Sequence, residues 1–518
     1  MASDYNVQLA PATGPGVCKT MEPRLDYSLL ISNFTASHGH HGWPRQRLLH
    51  ECLRAAIRDG TLAPGTRLVA TRALASELGV ARNTVLYAYE QLTSEGYVTT
   101  DRSGTIVAAV APARQREPSV VVPHRGLSQR AQNLRHSTAS AASGTPFVPG
   151  VPDLPSFPIG LWRRLLERAW RSLPTEKLNY GEPCGEPVLR EAIADYLRAS
   201  RGVICEAAQV FITDGSQSSL DLCGRACADA GETLWMENPG YGGAMAAFRA
   251  ASLKLEPIDV DDEGIAPRPE DWKQRPPRLI YTTPSHQYPT GTVLSLARRM
   301  ALIDGARSCG ALIIEDDYDS EFRHDGPPLA SMQGLQPDAP VLYCGTFSKT
   351  MFPGLRIGYL VVPPWLVQPL ATMRQQSASR GRAADQIALA EFLRSGQFAL
   401  HLRRMRRVYR ERRDALVAAL DQHLGSIASV QGASAGMHLA LRWEDPRLSD
   451  VEISRRALEQ EGMIANALSV HAVAGQCNWQ GLALGYGQVD PGKVDVLVKR
   501  LAGVIHLTAY ENFYRKFK

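Results

Sequence analysis

Short apolar runs alternate with helical stretches through most of the chain, and this alternation restricts the possible folds more than any other feature. Most runs contain almost no polar residue, which is typical of strands buried on both faces of a sheet. Strands of this kind separated by helices predict an α/β domain on a largely parallel sheet, beginning near Phe147. The predicted strands are 209–213, 233–237, 279–283, 311–315, 341–345 and 357–362.

From about Leu402 onward the pattern changes to long helices and short strands, which predicts a small C-terminal α+β subdomain. The 518 residues exceed the length of one typical domain. We predict a flexible tail at 1–44, a compact unit at 45–110, a linker at 111–145 and the α/β domain at 146–510. A flexible linker of that length spans on the order of 30 Å, enough to carry the first unit to a partner subunit.

The charge balance and the apolar runs limit the partners of the chain. Its 57 basic and 52 acidic side chains leave a net charge of only +5, so any contact with nucleic acid must be local. The start lacks a signal-peptide pattern, and no run approaches the roughly 20 apolar residues that span a bilayer. We therefore predict a cytoplasmic protein without membrane contact. His38, His40 and His41 form a short cluster that we expect to be solvated, so no metal is predicted.

The unit at 45–110 has the spacing of a winged helix-turn-helix. One helix has its apolar face within 48–57, a second runs over 72–78, Gly79 breaks the chain, and a third covers 82–95. Two short strands at 97–100 and 105–107, with a turn around Ser103 and Gly104, form the predicted wing.

The third helix opens with a guanidinium, an amide and a hydroxyl, where such helices meet base edges and phosphates. These groups belong to Arg82, Asn83 and Thr84, while Arg72 and Arg102 are predicted phosphate contacts. The alternative is a protein-interaction module whose charges are simply solvated.

The runs LRAAIRDGTLAPGTRL, RALASELGVARNTVLYAYEQLTSEGYV and SGTIVA resemble the GntR-type winged helix-turn-helix over about sixty residues. The resemblance implies binding to double-stranded operator DNA. Two departures are visible. Ala81 stands where the family usually has a hydroxyl residue that caps the recognition helix, and the wing turn is one residue short.

The large domain contains the groups that a pyridoxal 5′-phosphate site needs, namely a lysine for the imine, an acid for the ring nitrogen and a phosphate cradle. Lys349, in GTFSKTMFPGLRIGY, follows a predicted strand, and Thr346, Ser348 and Arg356 lie near it to bind phosphate oxygens. A lone lysine after a strand is usually a surface residue, so its neighbours in the sequence carry the prediction.

The run ALIIEDDYDSEF supplies the predicted ring partners. Alternation along the strand places Asp316 on the same side as Tyr318 and opposite Asp317. Asp316 is predicted to pair with the ring nitrogen and Tyr318 with the ring hydroxyl. Which of the two aspartates faces the ring remains open, and an ordinary acidic loop is the alternative.

Two further segments complete the predicted site. Gly215, Ser216 and Gln217 follow a strand and open a helix, so their backbone N–H groups form an anion site. Tyr241, in ENPGY, is predicted to stack on the ring.

The motifs NYGEPCGEPVLREAIADYL, ITDGSQSSLDL, ENPGY, TPSHQYPTG, EDDYDSEF and FSK occur in the order of fold type I aminotransferases and resemble that family over nearly all of residues 147–505. The resemblance implies that Lys349 is the Schiff-base lysine and that Tyr180 contacts the phosphate across a dimer. Combined with the GntR-type unit, it identifies the chain as similar to the MocR/GabR-type subfamily of GntR regulators.

Departures from the aminotransferase pattern bear on function. Tyr288 stands where catalytic relatives have asparagine, and Leu482 and Ala483 occupy the stretch in which they have a carboxylate-binding arginine. Val470 and His471 fall where some amino-acid-sensing members have another arginine. Either the effector is anchored by other side chains, or pyridoxal phosphate is itself the signal.

We therefore predict a homodimeric, pyridoxal-phosphate-dependent transcriptional regulator whose DNA readers are swapped over the partner. Its effector is the cofactor, an amine or an amino acid. The alternative is an active aminotransferase with an accessory DNA-binding domain. The absence of the carboxylate-binding arginine argues against fast turnover. A slow transaminase half-reaction stays open. A protein-interaction scaffold is the third alternative.

Overall fold

The computed structural model describes most of the chain, and the described residues fall into two compact units with a boundary between residues 125 and 126. Each unit is considered by itself. The described residues are 25–38, 42–102, 104–109, 128, 131, 144–326, 329–377, 381–445, 448–475 and 478–515.

The first unit is a winged helix-turn-helix, as predicted. Its apolar core includes Leu53, Leu74, Val85 and Leu92, all fully buried. Gly79 ends the second predicted helix with a φ of +61°, a left-handed conformation that glycine adopts at little cost. Ser103, in the predicted wing turn, lies outside the described residues. The elements are α1 (Tyr27–His38), α2 (Arg45–Arg58), α3 (Thr71–Leu78), α4 (Arg82–Ser94), β1 (Val98–Asp101) and β2 (Gly104–Val107).

Helix α1 was not predicted, because residues 1–44 were assigned to a flexible tail. The assignment is wrong for 27–38, where Tyr27, Leu30 and Ile31 follow helical spacing and pack on the core of the unit. Tyr27 is only 3% exposed. His40 and His41, and nearly all of the predicted linker at 111–145, lie outside the described residues.

The large unit is built on an eight-stranded mixed sheet of order β3-β10-β9-β8-β7-β4-β5-β6. All the predicted strands are present. The inner pairs from β5 to β9 are parallel, whereas β10 is antiparallel to both β3 and β9, and β6 is antiparallel to β5. The strands are β3 (Val210–Thr213), β4 (Thr233–Asn238), β5 (Lys254–Asp261), β6 (Gly264–Ile265), β7 (Leu279–Thr282), β8 (Leu312–Asp317), β9 (Val341–Thr346) and β10 (Gly358–Val361).

Helices of the large unit contribute the apolar faces that bury this sheet. Within the described residues, no helix combines the length and apolar character needed to cross a membrane. The helices are α5 (Ile159–Arg171), α6 (Pro187–Arg201), α7 (Ser216–Cys227), α8 (Gly242–Ala250), α9 (Pro269–Gln274), α10 (Leu296–Cys309), α11 (Met332–Leu335), α12 (Pro364–Ser377) and α13 (Ala383–Arg394).

The C-terminal part forms the predicted α+β subdomain. Its four-stranded antiparallel sheet has the order β11-β12-β14-β13 and packs with long helices. The elements are α14 (Gln397–Leu424), β11 (Ser429–Gln431), β12 (His438–Arg442), α15 (Asp450–Glu461), β13 (Asn466–Ala467), β14 (Gly481–Gly485) and α16 (Val494–Arg515).

The parallel strands position the candidate site. Strands β4, β7, β8 and β9 run in the same direction, so their carboxyl ends meet at one edge of the sheet. The segments that carry the predicted ring and lysine residues begin at this edge. This is where ligands bind in open α/β sheets.

Candidate functional site

Lys349 follows β9 and is half-buried at the sheet edge. Its Nζ atom donates a 2.6 Å hydrogen bond to the carbonyl of Gly150. Burial lowers the pKa of Lys349, and the negative charges of Asp319 and Asp316 act in the opposite direction. A lysine whose pKa is lowered has a larger fraction of the neutral amine, the form that attacks a carbonyl.

The structure places the two adjacent aspartates in different environments. Asp317 accepts hydrogen bonds from Tyr343 (2.6 Å) and from Arg201 (2.9 Å), so it belongs to a buried ion pair with Arg201. Asp316 accepts a 2.8 Å bond from Tyr281, and its charge acts on Lys349. These contacts favour Asp316 as the acid beside a ring.

Asp316 has the properties that a ring-nitrogen partner requires. Its Oδ1 atom is buried and has no hydrogen-bond partner among the described residues. Burial raises the pKa of this carboxyl to about 7, which the hydrogen bond from Tyr281 partly offsets. A buried acceptor without a donor is costly, and a protonated ring nitrogen would satisfy it.

Tyr318 and Tyr241, the two predicted aromatic ring contacts, both touch the loop that carries His286 and Tyr288. The hydroxyl of Tyr318 donates to the backbone carbonyl of His286 over 2.7 Å and lies 3.4 Å from its Nδ1 atom. The ring of Tyr241 meets that of Tyr288 edge to face at 5.7 Å, and burial raises the pKa of Tyr241 to about 12. Burial also raises the pKa of Tyr318 well above its ordinary value, so both tyrosines remain neutral donors at physiological pH.

Several predicted phosphate contacts lie close to one another. Gly215, with a φ of +94°, directly precedes α7, and a Cβ placed there would lie 3.6 Å from a guanidinium nitrogen of Arg356. The hydroxyls of Thr346 and Ser348 are 3.1 Å apart. Free amides at a helix start, a guanidinium and hydroxyls together suit a phosphate.

The side chains of the other two predicted phosphate contacts, Gln217 and Tyr180, do not join this group. The side chain of Gln217 donates to the carbonyl of Gly243, so only the backbone amide of Gln217 is left for an anion. Tyr180 is 81% exposed, and its contact across a dimer stays a prediction.

A cluster of histidines and Asp319 lies beside Lys349 and was not predicted. His286 Nδ1 is 3.1 Å from Asp319 Oδ2, and the ring centroids of His286 and His438 are 4.4 Å apart. One ligand atom from each of these three residues lies within 4.8 Å of the others, a spacing that could accommodate a metal ion. His286 stood out in the sequence only as a neighbour of Tyr288, and His438 carried no local signal.

The loop that carries His286 and Tyr288 is held by a buried acid. Glu237 accepts hydrogen bonds from the side chains of Thr282, Thr283 and Gln287. Gln287 also donates to the carbonyls of Pro239 and Tyr288. These bonds fix the orientation of the loop, which explains why a glutamine precedes Tyr288.

The positions that would bear a carboxylate-binding arginine are apolar. Leu482 and Ala483 are fully buried on β14 within hydrophobic clusters. His471, which falls near the second such position, is half-buried, and Val470 is 58% exposed.

The predicted DNA contacts lie on the first unit. Arg82 and Asn83 are exposed at the start of α4, and Thr84 is half-buried beside them. Arg72 and Arg102 are also exposed. Ala81 is the N-cap residue of α4 and makes no side-chain capping bond, as the sequence implied.

Both units match known families. Residues 46–107 match the model of bacterial regulatory proteins of the gntR family, and residues 161–501 match aminotransferase class I and II. Together with the fold, these matches define a DNA-binding transcriptional regulator that carries an aminotransferase-like domain. The predicted cofactor, pyridoxal 5′-phosphate, is confirmed by this class of domain.

Sequence identity to individual regulators shows to which subfamily the chain belongs. The chain is 40% identical to the probable rhizopine catabolism regulatory protein MocR of Rhizobium meliloti, covering 86% of this chain and 91% of that protein. It is 32% identical to the pyridoxine biosynthesis transcriptional regulator PdxR of Corynebacterium glutamicum, covering 89% and 95%. The chain belongs to the MocR/GabR-type subfamily of GntR transcriptional regulators.

Solved structures resemble the large unit. The α-aminoadipate aminotransferase LysN from Thermus thermophilus, complexed with N-(5′-phosphopyridoxyl)-L-leucine, has a TM-score of 0.66 and 28% identity. The match covers 74% of this chain and 97% of LysN. The predicted fold class is thereby confirmed.

Proposed function

We propose that this regulator senses pyridoxal 5′-phosphate, an amine effector or both through its large unit, and that occupancy changes how a homodimer binds operator DNA. The observation that carries the proposal is the pair formed by Lys349 and Asp316. A half-buried lysine with a lowered pKa feels the charge of a buried acid that lacks a donor for one oxygen. A lysine and an acid whose pKa values are both perturbed and whose charges act on each other are typical of functional sites.

The residues divide the work of holding the cofactor. Bound there, pyridoxal phosphate supplies an aldehyde that condenses reversibly with primary amines. Lys349 provides the resident amine, and Asp316 holds a proton on the ring nitrogen. Tyr318 would bond the ring hydroxyl, and Tyr241 would stack on the ring.

The phosphate is assigned to the first turn of α7 and its neighbours. The backbone amides of Ser216 and Gln217, at the start of this helix, would bind the phosphate. Arg356 supplies positive charge beside Gly215. The hydroxyls of Thr346 and Ser348 add neutral donors.

The proposed assembly is a homodimer in which Tyr180 of each subunit completes the partner's phosphate site. Its high exposure in the single chain supports an interface role. The reader at 45–110 crosses to the partner through the linker at 111–145, while 146–510 forms the effector domain. Each reader contacts DNA through Arg82, Asn83 and Thr84 in the major groove and through Arg72 and Arg102 on phosphates.

Effector binding can alter DNA binding only if it favours one arrangement of the dimer over another. A dimer presents two readers, so a change in their separation alters the fit to paired half-sites. The coupling free energy needed for a useful switch is about 1–3 kcal/mol, or a 5- to 150-fold change in affinity.

An efficient aminotransferase is the less favoured function. The apolar burial of Leu482 and Ala483 leaves that part of the cleft without a counter-charge for a substrate carboxylate. Steady transamination of common amino acids at about 1 per second or faster would favour the enzyme instead.

The decisive experiment compares retardation of the upstream DNA of the chain's own gene with and without pyridoxal phosphate. We expect the cofactor to change the apparent DNA affinity of the wild type and to produce an absorbance band that Lys349→Ala lacks. Lys493→Ala, at an exposed position, is the matched control. Identical DNA binding by wild type and Lys349→Ala under every condition would refute the sensing role.

A further inference from the structure

An aromatic wall lies beside Lys349. The ring of Tyr288 is 5.7 Å from that of Tyr241 and 5.2 Å from each of the rings of His438 and His471, measured between centroids. Tyr241, Tyr288 and His471 are half-buried, so each keeps an accessible side, while His438 is 1% exposed. The charge of Lys349 acts on His438, the most deeply buried ring of the wall.

Both histidines of the wall have a nitrogen without a partner. The backbone at Pro289 hydrogen-bonds His438, and the backbone at Gly240 hydrogen-bonds His471. The Nε2 atoms of both rings are buried and lack partners among the described residues. Buried polar atoms are usually paired in native proteins, so these two nitrogens of one wall are available to a ligand that hydrogen-bonds to them.

The wall is uncharged at neutral pH. Burial lowers the pKa of His438 well below its ordinary value and lowers that of His471 to about 4. A neutral imidazole offers one donor and one acceptor, which suits a hydroxyl group. It offers no counter-charge to a carboxylate, and burying a carboxylate without one is unfavourable.

A metal ion is a weaker explanation for the unpaired atoms. His286, the third member of the possible metal group, already has Asp319 Oδ2 at 3.1 Å and the carbonyl of Gly432 at 3.3 Å. A Cβ added at Gly436 would lie 2.1 Å from His286 Nδ1 and 2.5 Å from Asp319 Oδ2. The backbone therefore packs closely against this pair and leaves little room for an ion and its ligands.

We infer that the effector is a primary amine that bears uncharged hydroxyl groups rather than a carboxylate, with its hydroxyls bound by Nε2 of His438 and His471. The inference rests on the proposed function, because it assumes that the amine is directed toward Lys349. It concerns only the groups of the effector other than the amine.

Three amines of similar size provide the test. 2-Amino-1,3-propanediol carries two hydroxyls, serine replaces one hydroxymethyl group with a carboxylate, and isopropylamine carries neither group. Each is titrated into the full chain loaded with pyridoxal phosphate, and its Kd is measured from the absorbance change and by calorimetry. We expect the diol to bind at least tenfold more tightly than serine or isopropylamine.

Substitutions of the two histidines test whether the wall causes the preference for the diol. His471→Phe, at the half-buried position, is expected to weaken diol binding by about two- to tenfold, as for the loss of one hydrogen bond, and to leave isopropylamine binding unchanged. His438→Phe tests the deeper position, and His506→Phe at an exposed site is the control. Retained cofactor absorbance and DNA binding show that each variant is folded.

The outcomes separate the two proposals. Serine binding as tightly as the diol, or an equal response of both to His471→Phe, would overturn this inference and leave cofactor sensing intact. Diol binding that EDTA abolishes and zinc restores would also overturn it, in favour of a metal. Absence of any absorbance change when pyridoxal phosphate is added would instead refute the proposed function.

Discussion

Replacing Asp316 with asparagine tests the ring-nitrogen assignment through stability as well as binding. Burial raises the pKa of Asp316 to about 7, against about 3.9 in an unfolded chain. Between these values the folded chain holds a proton that the unfolded chain has lost. The stability of the cofactor-free protein therefore falls as pH rises from about 4 to 7.

The size of the effect follows from the two pKa values. At about 1.36 kcal/mol per pKa unit, the raised pKa of Asp316 lowers the stability of the folded state by about 4 kcal/mol at pH 8 and by about 1.5 kcal/mol at pH 5. Asparagine does not ionise and can still accept the hydrogen bond from Tyr281. We expect Asp316→Asn to raise the unfolding free energy of the cofactor-free chain by up to these amounts, measured by urea denaturation at both pH values.

The same substitution should weaken cofactor binding. Loss of a charge-assisted hydrogen bond costs about 1.5–3 kcal/mol, which predicts a roughly 10- to 100-fold higher Kd for pyridoxal phosphate at pH 8. Asp317→Asn is the contrasting control, because it leaves the buried Arg201 without its carboxylate and should destabilise the chain by about 3–5 kcal/mol. Unchanged cofactor affinity in Asp316→Asn, or a loss of stability at pH 8, would refute the assignment.

Three further predictions concern other parts of the molecule. Arg82→Ala should weaken specific operator binding by about 1–3 kcal/mol in retardation assays. Arg102→Ala should mainly reduce the slope of log affinity against log salt concentration by about one released ion. An equal effect of Arg82→Ala on all DNA sequences would contradict a base contact for Arg82. Tyr27→Ala should destabilise the first unit by about 3 kcal/mol in thermal melts, whereas Leu29→Ala, at an exposed position of the same helix, should have almost no effect. Equal stability of the two variants would show that α1 contributes nothing to folding. Gly436→Ala should reduce stability to urea by more than about 1 kcal/mol, because its φ is +77° and the new Cβ would overlap His286; wild-type stability would contradict that packing.

Elements with a strong local pattern could be predicted from the sequence alone. The strands at 233–237 and 311–315 are runs of apolar residues that few other structures could bury. Strand β5 was missed because its buried and accessible residues alternate around Pro257, as on a sheet flank. Helix α1 was missed because its apolar residues are not confined to one face, since Leu29 is exposed, and because the helix depends on packing against α2 and α3.

The adjacent aspartates show what the local sequence pattern cannot predict. Alternation along β8 indicates that Asp316 and Asp317 point to opposite sides, but it does not say which side holds the ligand. Arg201 and Tyr343, from α6 and β9, answer the question by enclosing Asp317 in a buried ion pair. Neither partner can be recognised from the residues around the aspartates.

The two-part organisation, the DNA reader and the lysine can be predicted from local pattern, because each depends on a short, continuous stretch with a distinctive spacing. Only the tertiary structure brought His438 and His471 from the C-terminal subdomain to Tyr288, and it left their Nε2 atoms buried without partners. Such contacts join residues more than a hundred positions apart. They arise from how the subdomain packs on the sheet, and no local periodicity encodes that packing.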